Sequence, residues 1–379
     1  MLSERDYLLY LSSILEIGTM TASHLMKHFG SAERVCMADE NEMNLLINGS
    51  MADKLQSVIK REEIEERVAS YKERLQKEGI GYIMRGDKEY PKLLDCIDDP
   101  PEILYFKGNI NLLKEKNMIA MVGSRQATIY GREAAELISS QLAAAGVVVV
   151  SGLAYGIDTA SHRGAIKAKG KTIGVSGCGI NIIYPHGNRQ LYENMYKDQL
   201  VISENGLDVP SYGFNFPLRN RIISGLSRGV VVVEAREKSG SLITAEMALL
   251  QGRNVYAIPG RINDPLSKGT NRLIREGATL VDNADVIMED ILGVSGYKPK
   301  YEKKEEKNEQ GLFFKLSEEE VKVFEAVTTD PVYIDDIVSV SGVAMPRCIA
   351  ALITLRKAGL IAETERGYYH RMLKNKLAL

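Results

Sequence analysis

Phe216 to Ser227 reads FPLRNRIISGLS, a segment whose residue types suit the holding of an anion. Pro217 fits a helix entrance, and Ile222, Ile223 and Leu226 follow it at helical spacing. A helix N-terminus carries roughly half a positive charge and several unpaired N–H groups, so it favours phosphate. Arg219 and Arg221 set there would form an anion clamp, because guanidinium donates in a planar fork that matches phosphate oxygens. Asn220 between them offers a hydrogen bond to a sugar or a base edge. The alternative is a helix start whose arginines pair with neighbouring carboxylates, and the segment alone does not separate the two.

The elements around it predict an open α/β sheet. Buried-strand runs recur at Ile119–Val122, Val147–Val150, Thr172–Val175, Leu200–Ser203, Val230–Glu234 and Val255–Ile258. Each is continuous and rich in β-branched residues, as strands covered on both faces must be. Helical patterns fill the gaps at Tyr130–Ala145, Gly156–Ala168, Asn188–Lys197, Arg219–Ser227, Ser241–Gln251 and Leu266–Glu276. This alternation predicts right-handed β-α-β units in a Rossmann-like, doubly wound parallel sheet, whose ligands sit at the carboxyl ends of the strands.

The same chemistry follows strand after strand. Gly123-Ser124-Arg125 comes after the first, and Ser151-Gly152-Leu153-Ala154-Tyr155-Gly156-Ile157-Asp158 after the second. The third is followed by Ser176-Gly177-Cys178-Gly179, with Tyr184-Pro185 and Asn188 close behind. Glu234 and Lys238-Ser239-Gly240-Ser241 follow the fifth, and Pro259-Gly260-Arg261 the sixth. Glycine lets backbone approach a ligand, serine adds a short donor, and arginine and lysine add charge. Any one of these glycines reads equally as a turn residue. Five such loops on one edge, with Arg125, Lys238 and Arg261 among them, predict an anion-binding rim.

Familiar nucleotide sites do not match. The glycines after the first strand are Gly123 and Gly131 rather than G-x-G-x-x-G, and Ser151 stands where a ribose-binding acid would. No G-x-x-x-x-G-K-[ST], HExxH or paired-cysteine motif occurs, so no cofactor or metal is expected. Cys36, Cys96, Cys178 and Cys348 are far apart, which suits reduced thiols in a reducing compartment.

GSR at 123–125, SGLAYGID at 151–158, FPLRNRIISGLS at 216–227, KSGSLITA at 238–245 and GTNRLIREGA at 269–278 resemble the bacterial DNA-processing protein A family, also called the Smf family. The flanking regions fit as well, so the resemblance extends over the chain. It implies a homodimer, without known enzymatic activity, that binds single-stranded DNA entering during natural transformation, shields it and loads the RecA recombinase. It also implies DNA contacts from Arg125, Arg219, Arg221 and Lys238. The neighbouring loop residues Gly123, Ser124, Ser151, Gly152, Gly156, Asp158, Asn220, Ser239 and Gly240 complete the expected DNA-binding set.

Composition is compatible with this. The 379 residues predict two or three domains. A formal net charge of −2 argues against a histone-like polybasic binder, yet a local basic groove needs no basic total. The longest apolar run, Leu142–Val150, has nine residues, and the MLSERDYLLY start lacks a signal pattern. A soluble, cytoplasmic protein without membrane insertion is expected.

Residues 1–77 read as helical, with a stripe at Leu8, Leu11, Ile14 and Leu15 and a helix over Thr21–Phe29 after Ile17-Gly18. The region resembles the sterile-alpha-motif-like or helix-hairpin-helix module at the front of the family. Its turn offers phosphate contact through backbone N–H groups, and a packing role is the plainer reading beside Glu16. Glu62–Lys77 reads as a charge-rich helix with a solvated face. Tyr90-Pro91 and Pro100-Pro101 mark an extended lead-in to the sheet domain, assigned to residues 78–292.

Lys298–Gln310 has mixed charge and almost no apolar content, which predicts a flexible linker within residues 293–315. Beyond it, Ser317 and Glu320 make a capping box for a helix over Glu318–Val327. Helices over Ile334–Val340 and Met345–Ala358 follow, then a two-stranded wing from Leu360–Glu363 and Tyr368–His370. Residues 316–379 therefore read as a winged helix. Arg347, Arg356, Lys357, Arg366 and Arg371 permit duplex contact, while Asp335-Asp336 leaves protein contact equally open.

Two catalytic readings remain. His162 follows Asp158 by four residues and could share its helix face as a general base, although a structural Asp158, capping its helix or pairing with an arginine, is the simpler account. Glu234 and Glu246 raise the phosphoribohydrolases of the lysine-decarboxylase-like group, whose signature is P-G-G-x-G-T-x-x-E. Here Ser239-Gly240-Ser241-Leu242-Ile243-Thr244-Ala245-Glu246 lacks its second and third glycines, so this enzyme class stays the alternative. For stacking on bases, Phe214, Phe216 and Tyr155 are the best-placed aromatics.

Overall fold

The computed structural model describes residues 2–15, 17–46, 55, 57–293 and 316–372. The segment read as a linker, Lys298–Gln310, lies outside them. The described residues fall into two compact units, one holding a nine-stranded sheet and the other a three-stranded sheet.

In the first unit the central strands are β3 (Met118–Val122), β4 (Val148–Ser151), β5 (Thr172–Val175), β6 (Leu200–Ser203) and β7 (Gly229–Val232), and every residue in them is buried. β1 (Gly81–Met84) and β2 (Ile103–Gly108) precede them, and β8 (Asn254–Ala257) and β9 (Thr279–Leu280) follow. The order is β1-β2-β6-β5-β4-β3-β7-β8-β9. Pairing is parallel from β6 across to β9. The chain winds outward from β3 through β6, then returns to β7 on the other side of β3. That reversal is a topological switch point, where open sheets part their loops into a crevice.

The sheet is not wholly parallel. β1 and β2 add an antiparallel edge, with Tyr105 opposite Ser203 and Tyr82 opposite Tyr105. The lead-in marked by Tyr90-Pro91 and Pro100-Pro101 is only partly extended: it holds the helical turns Lys92–Asp95 and Ile110–Lys114, and its strands pair. Four-residue and six-residue runs between proline-marked turns carry too little periodicity to announce a partner 95 or so residues downstream.

Helices α1 (Glu4–Ser13), α2 (Thr19–Phe29), α3 (Ala32–Met37), α4 (Glu40–Leu46) and α5 (Ile64–Lys77) form the helical front of this unit. Ser3 and Asp6 cap α1 reciprocally. In α5, Ile64, Val68, Tyr71 and Leu75 recur at steps of four, three and four and are buried, leaving the charged face to water. Tyr71 Oη accepts from the Leu207 N–H at 2.8 Å, so one apolar cluster runs from α1, α3 and α5 into Tyr105, Tyr192 and Met195. The predicted stripe is partly misplaced. Leu11 and Ile14 are buried, but α1 ends at Ser13 and Leu15 is exposed.

Short α6 (Lys92–Asp95) lies between β1 and β2. Between and after the central strands lie α7 (Ile129–Ala144), α8 (Ile157–Lys167), α9 (Arg189–Asp198), α10 (Asn215–Leu226), α11 (Gly240–Leu250), α12 (Lys268–Arg275) and α13 (Asp285–Leu292). α10 begins four residues earlier than the expected Arg219, which matters for the site. Among the described residues no single helix is long and apolar enough to cross a membrane.

The second unit contains α14 (Glu318–Ala326), α15 (Ile334–Ser341) and α16 (Met345–Lys357) around Val323, Ile337, Cys348, Leu352 and Leu355. Ser317 and Glu320 make the expected capping box. The sheet has three strands rather than two: β10 (Val332–Tyr333) pairs with β12 (Tyr368–Arg371), which also pairs with β11 (Ile361–Glu365). A two-residue strand such as β10 leaves no alternation to read.

Candidate nucleic-acid interface

The loops after β3, β4 and β7 and the first turns of α10 and α11 enclose a cleft of about 690 Å³ at the switch point. Backbone ties fix its floor. The Ser124 N–H donates to the Glu234 carbonyl at 2.8 Å, and the Ile157 N–H to the Ser124 carbonyl at 3.2 Å. Gly123 is required for this approach, since a Cβ there would lie 2.6 Å from Ile157 Cγ1. Gly156 adopts φ +76° at the start of α8, against the Ser124 and Arg125 carbonyls.

Around the cleft stand three exposed cations, Arg125, Arg236 and Lys238. The Arg125 guanidinium lies 5.1 Å from the Phe216 ring centroid, a cation–π contact between two residues of the cleft lining. Tyr184 lies 5.3 Å from the same ring. Ser239 caps α11 by accepting from the Ser241 N–H, and Gly240, Ser241 and Thr244 carry the first turn of that helix along the wall. Nothing lies within 4 Å of a Cβ built on Gly240, so this turn is open to an approaching group.

Of the expected residues, Gly123, Ser124, Arg125, Asp158, Arg219, Asn220, Lys238, Ser239 and Gly240 line this cleft. Ser151, Gly152, Gly156 and Arg221 do not. Ser151 is buried and donates to the Met121 carbonyl at 2.7 Å. Arg261, counted in the rim, is also absent from the lining. Arg236 was not singled out from the sequence, although its place between Glu234 and Lys238 on a strand-end loop was the available signal.

The arginines of the RNR run sit differently from a helix-entrance clamp. Because α10 starts at Asn215, Pro217 occupies its first turn and Arg219 its second. Arg219 is buried and donates from Nη1 to the Gly152 carbonyl at 2.6 Å and to the Val175 carbonyl, tying together the ends of β4 and β5. Burial lowers its pKa, and the Asp158 charge opposes that. Asp158 is itself buried and accepts from the Ala154 N–H at 3.2 Å; burial raises its pKa and Arg219 acts against the rise. Arg221 pairs with Glu204 at 2.6 Å, with side-chain exposures of 11% and 4%. The carboxylate-pairing alternative for this segment therefore describes Arg221, and backbone carbonyls take up Arg219.

The remaining polar candidates are structural or peripheral. His162 is fully buried, contacts Thr172 Oγ1 through Nδ1 at 2.7 Å, and burial pushes its pKa down to about 3, so it stays neutral. Asn188 donates to the Leu153 carbonyl at 2.8 Å and holds the loop after β4. Glu246 is exposed on α11 and does not line the cleft. Among the described residues no group of three or more His, Cys, Asp or Glu is placed to hold a metal ion.

Comparison with known proteins agrees with this architecture. The family described as DNA recombination-mediator protein A matches residues 81–292. DNA processing protein DprA of Bacillus subtilis is 45% identical over 224 residues, 59% of this chain and 74% of that protein. The X-ray structure of DNA processing protein A from Streptococcus pneumoniae superposes with a TM-score of 0.61 at 35% identity, covering 75% of this chain and 97% of the other. A structure concerned with the single-stranded DNA binding mode of DNA processing protein A from Helicobacter pylori superposes with a TM-score of 0.52 at 30% identity, over 57% and 98%. A match that spans the whole nine-stranded unit after α5, loops and cleft included, places the chain in the DNA recombination-mediator protein A family, together with the DNA processing proteins DprA and Smf.

Proposed function

We propose that this chain binds single-stranded DNA along the cleft at the switch point, protects it and loads RecA onto it as a homodimer during transformation. The observation that carries the DNA-binding part is the set of exposed cations, Arg125, Arg236 and Lys238, around a cleft whose walls are backbone turns. Phosphate is recognised by charge and N–H groups, and single strands leave their base faces free for the aromatics alongside. The Helicobacter pylori relative, described as binding single-stranded DNA, supports the same reading. In this assignment Arg125, Arg236 and Lys238 contact phosphate, with Asn220, Ser239 and Gly240 beside them. Arg219, Arg221, Ser151, Gly152, Gly156 and Asp158 act by holding the loops in place.

The role is one of binding, in the cytoplasm, without catalysis. Glu246, which a phosphoribohydrolase would need at its site, stands outside the cleft, and that weighs against the hydrolase alternative. Exposed Leu249, Leu250 and Ile262 are apolar surface suited to the self-association of a homodimer. Residues 1–77 act as a helical, sterile-alpha-motif-like module, 78–292 as the DNA-binding domain, 293–315 as a linker and 316–379 as a winged helix. In the last, Arg347 and Arg356 already pair with Glu319 and Glu363, and Arg371 donates to the Phe324 carbonyl.

Fluorescence anisotropy of a labelled oligothymidylate and of a duplex, each at two salt concentrations, tests the proposal. The single strand should bind more tightly, and Arg125→Ala with Lys238→Ala should lower the salt slope by roughly 0.7 per lost contact. Unchanged affinity in that double variant overturns the site.

A further inference from the structure

Tyr212 and Phe214 form a stack on the segment that leads into α10, with ring centroids 5.3 Å apart and planes within 8° of parallel. Both are exposed, at 49% and 65%. Their neighbours Ser211 and Gly213 line the cleft, so the pair is carried on a segment that borders it. A turn holds the pair in place, the Asn215 N–H donating to the Tyr212 carbonyl at 3.1 Å.

Phe214 also occupies the N-cap of α10, where an oxygen-bearing side chain would normally satisfy a free N–H, and no side-chain cap is made. The position therefore forgoes a stabilising cap and keeps a large apolar ring in water. Such surface beside a charged cleft marks a contact with a ligand. The other two aromatics suited to stacking are more engaged. Phe216 is half-buried between Arg125 and Tyr184, and the Tyr155 hydroxyl accepts from the Gly187 N–H at 3.3 Å.

We infer that the Tyr212–Phe214 stack is a nucleobase subsite, in which one unstacked base of the bound strand packs on the open face of Phe214 with Tyr212 supporting the ring from behind. The inference rests on the single-strand reading of the cleft and adds a base contact to its phosphate contacts. Every base has a π-face, so the subsite tolerates any sequence, and its loss weakens binding without altering the number of phosphates held.

The test uses the full chain, an oligothymidylate and an abasic oligonucleotide of the same length, so that phosphates are kept and bases removed. Phe214→Ala should bind oligothymidylate roughly ten-fold more weakly, in the range of one lost stacking contact. It should bind the abasic strand as wild type does and keep the wild-type salt slope. Phe214→Tyr should restore binding, and Tyr212→Ala should show a smaller loss of the same selectivity. Equal binding of oligothymidylate by Phe214→Ala and wild type, or an equal loss on both strands, overturns the subsite while leaving the cleft standing. A wild-type chain that binds neither strand overturns the single-strand reading and the subsite with it.

Discussion

Arg219 and Asp158 both crowd Gly152, where an added Cβ would lie 2.7 Å from Arg219 Nη2 and from Asp158 Oδ2. The glycine is needed because two buried, oppositely charged groups occupy the space a side chain would take. The arginine they hold reaches two carbonyls at the ends of β4 and β5. The cleft wall therefore contains a buried charged pin, distinct from the exposed cations around it.

Arg219→Ala should destabilise the first unit by about 3 kcal/mol, since it leaves Asp158 as an uncompensated buried charge. Arg125→Ala should leave stability within about 0.5 kcal/mol, as its side chain is exposed. Urea unfolding of the two variants separates these outcomes. A marginal effect of Arg219→Ala would show that the pin contributes little.

Arg221→Ala should also act through stability. The substitution strands Glu204, which is buried, and should cost about 3 kcal/mol. Arg221→Met combined with Glu204→Gln should recover most of that, since an uncharged pair of similar volume avoids the desolvation of two ions. The salt slope of DNA binding in the double variant is predicted to match wild type, and a slope reduced by roughly 0.7 would make Arg221 a phosphate contact after all.

Gly156→Ala should lower stability by at least about 1 kcal/mol, because φ +76° disfavours an L side chain and the new methyl meets the Ser124 and Arg125 carbonyls. Relief of that overlap moves the loop bearing Arg125, so oligothymidylate affinity should fall together with the thermal midpoint. A folded variant with wild-type affinity would show that the loop adapts at no cost.

His162 predicts an acid sensitivity. Its ordinary pKa is 6.5 and burial holds it near 3 in the fold, so the unfolded chain binds the proton first as pH falls. Stability is therefore intact above about pH 6.5 and declines from there down to about pH 3, by up to about 1.4 kcal/mol per pH unit from this group. Thermal midpoints from about pH 7 to about pH 4 should fall less steeply in His162→Leu than in wild type, whatever the baseline of the variant. Parallel profiles would assign the acid sensitivity to other groups.

The central sheet was legible because its strands are buried on both faces: a run such as Val147–Val150 has no polar side chain to misplace, and the loops that follow announce themselves with glycine. The family resemblance of the GSR, SGLAYGID and KSGS runs was equally a property of residue order, and so was the Ser317–Glu320 capping box. Tertiary structure decided what depends on partners distant in sequence. β2 is defined by pairing with residues 200–203 and β1 in turn by β2, and β10 by a strand some 36 residues later. The division of labour among the arginines has the same origin. Arg125, Arg219 and Arg221 are chemically alike in the sequence, and only the packing of β4, β5 and Glu204 around them makes one an exposed cation, buries Arg219 and leaves Arg221 half-buried in an ion pair. Side-chain type fixes what a residue can bind, whereas burial, set by the whole fold, decides which partner reaches it first.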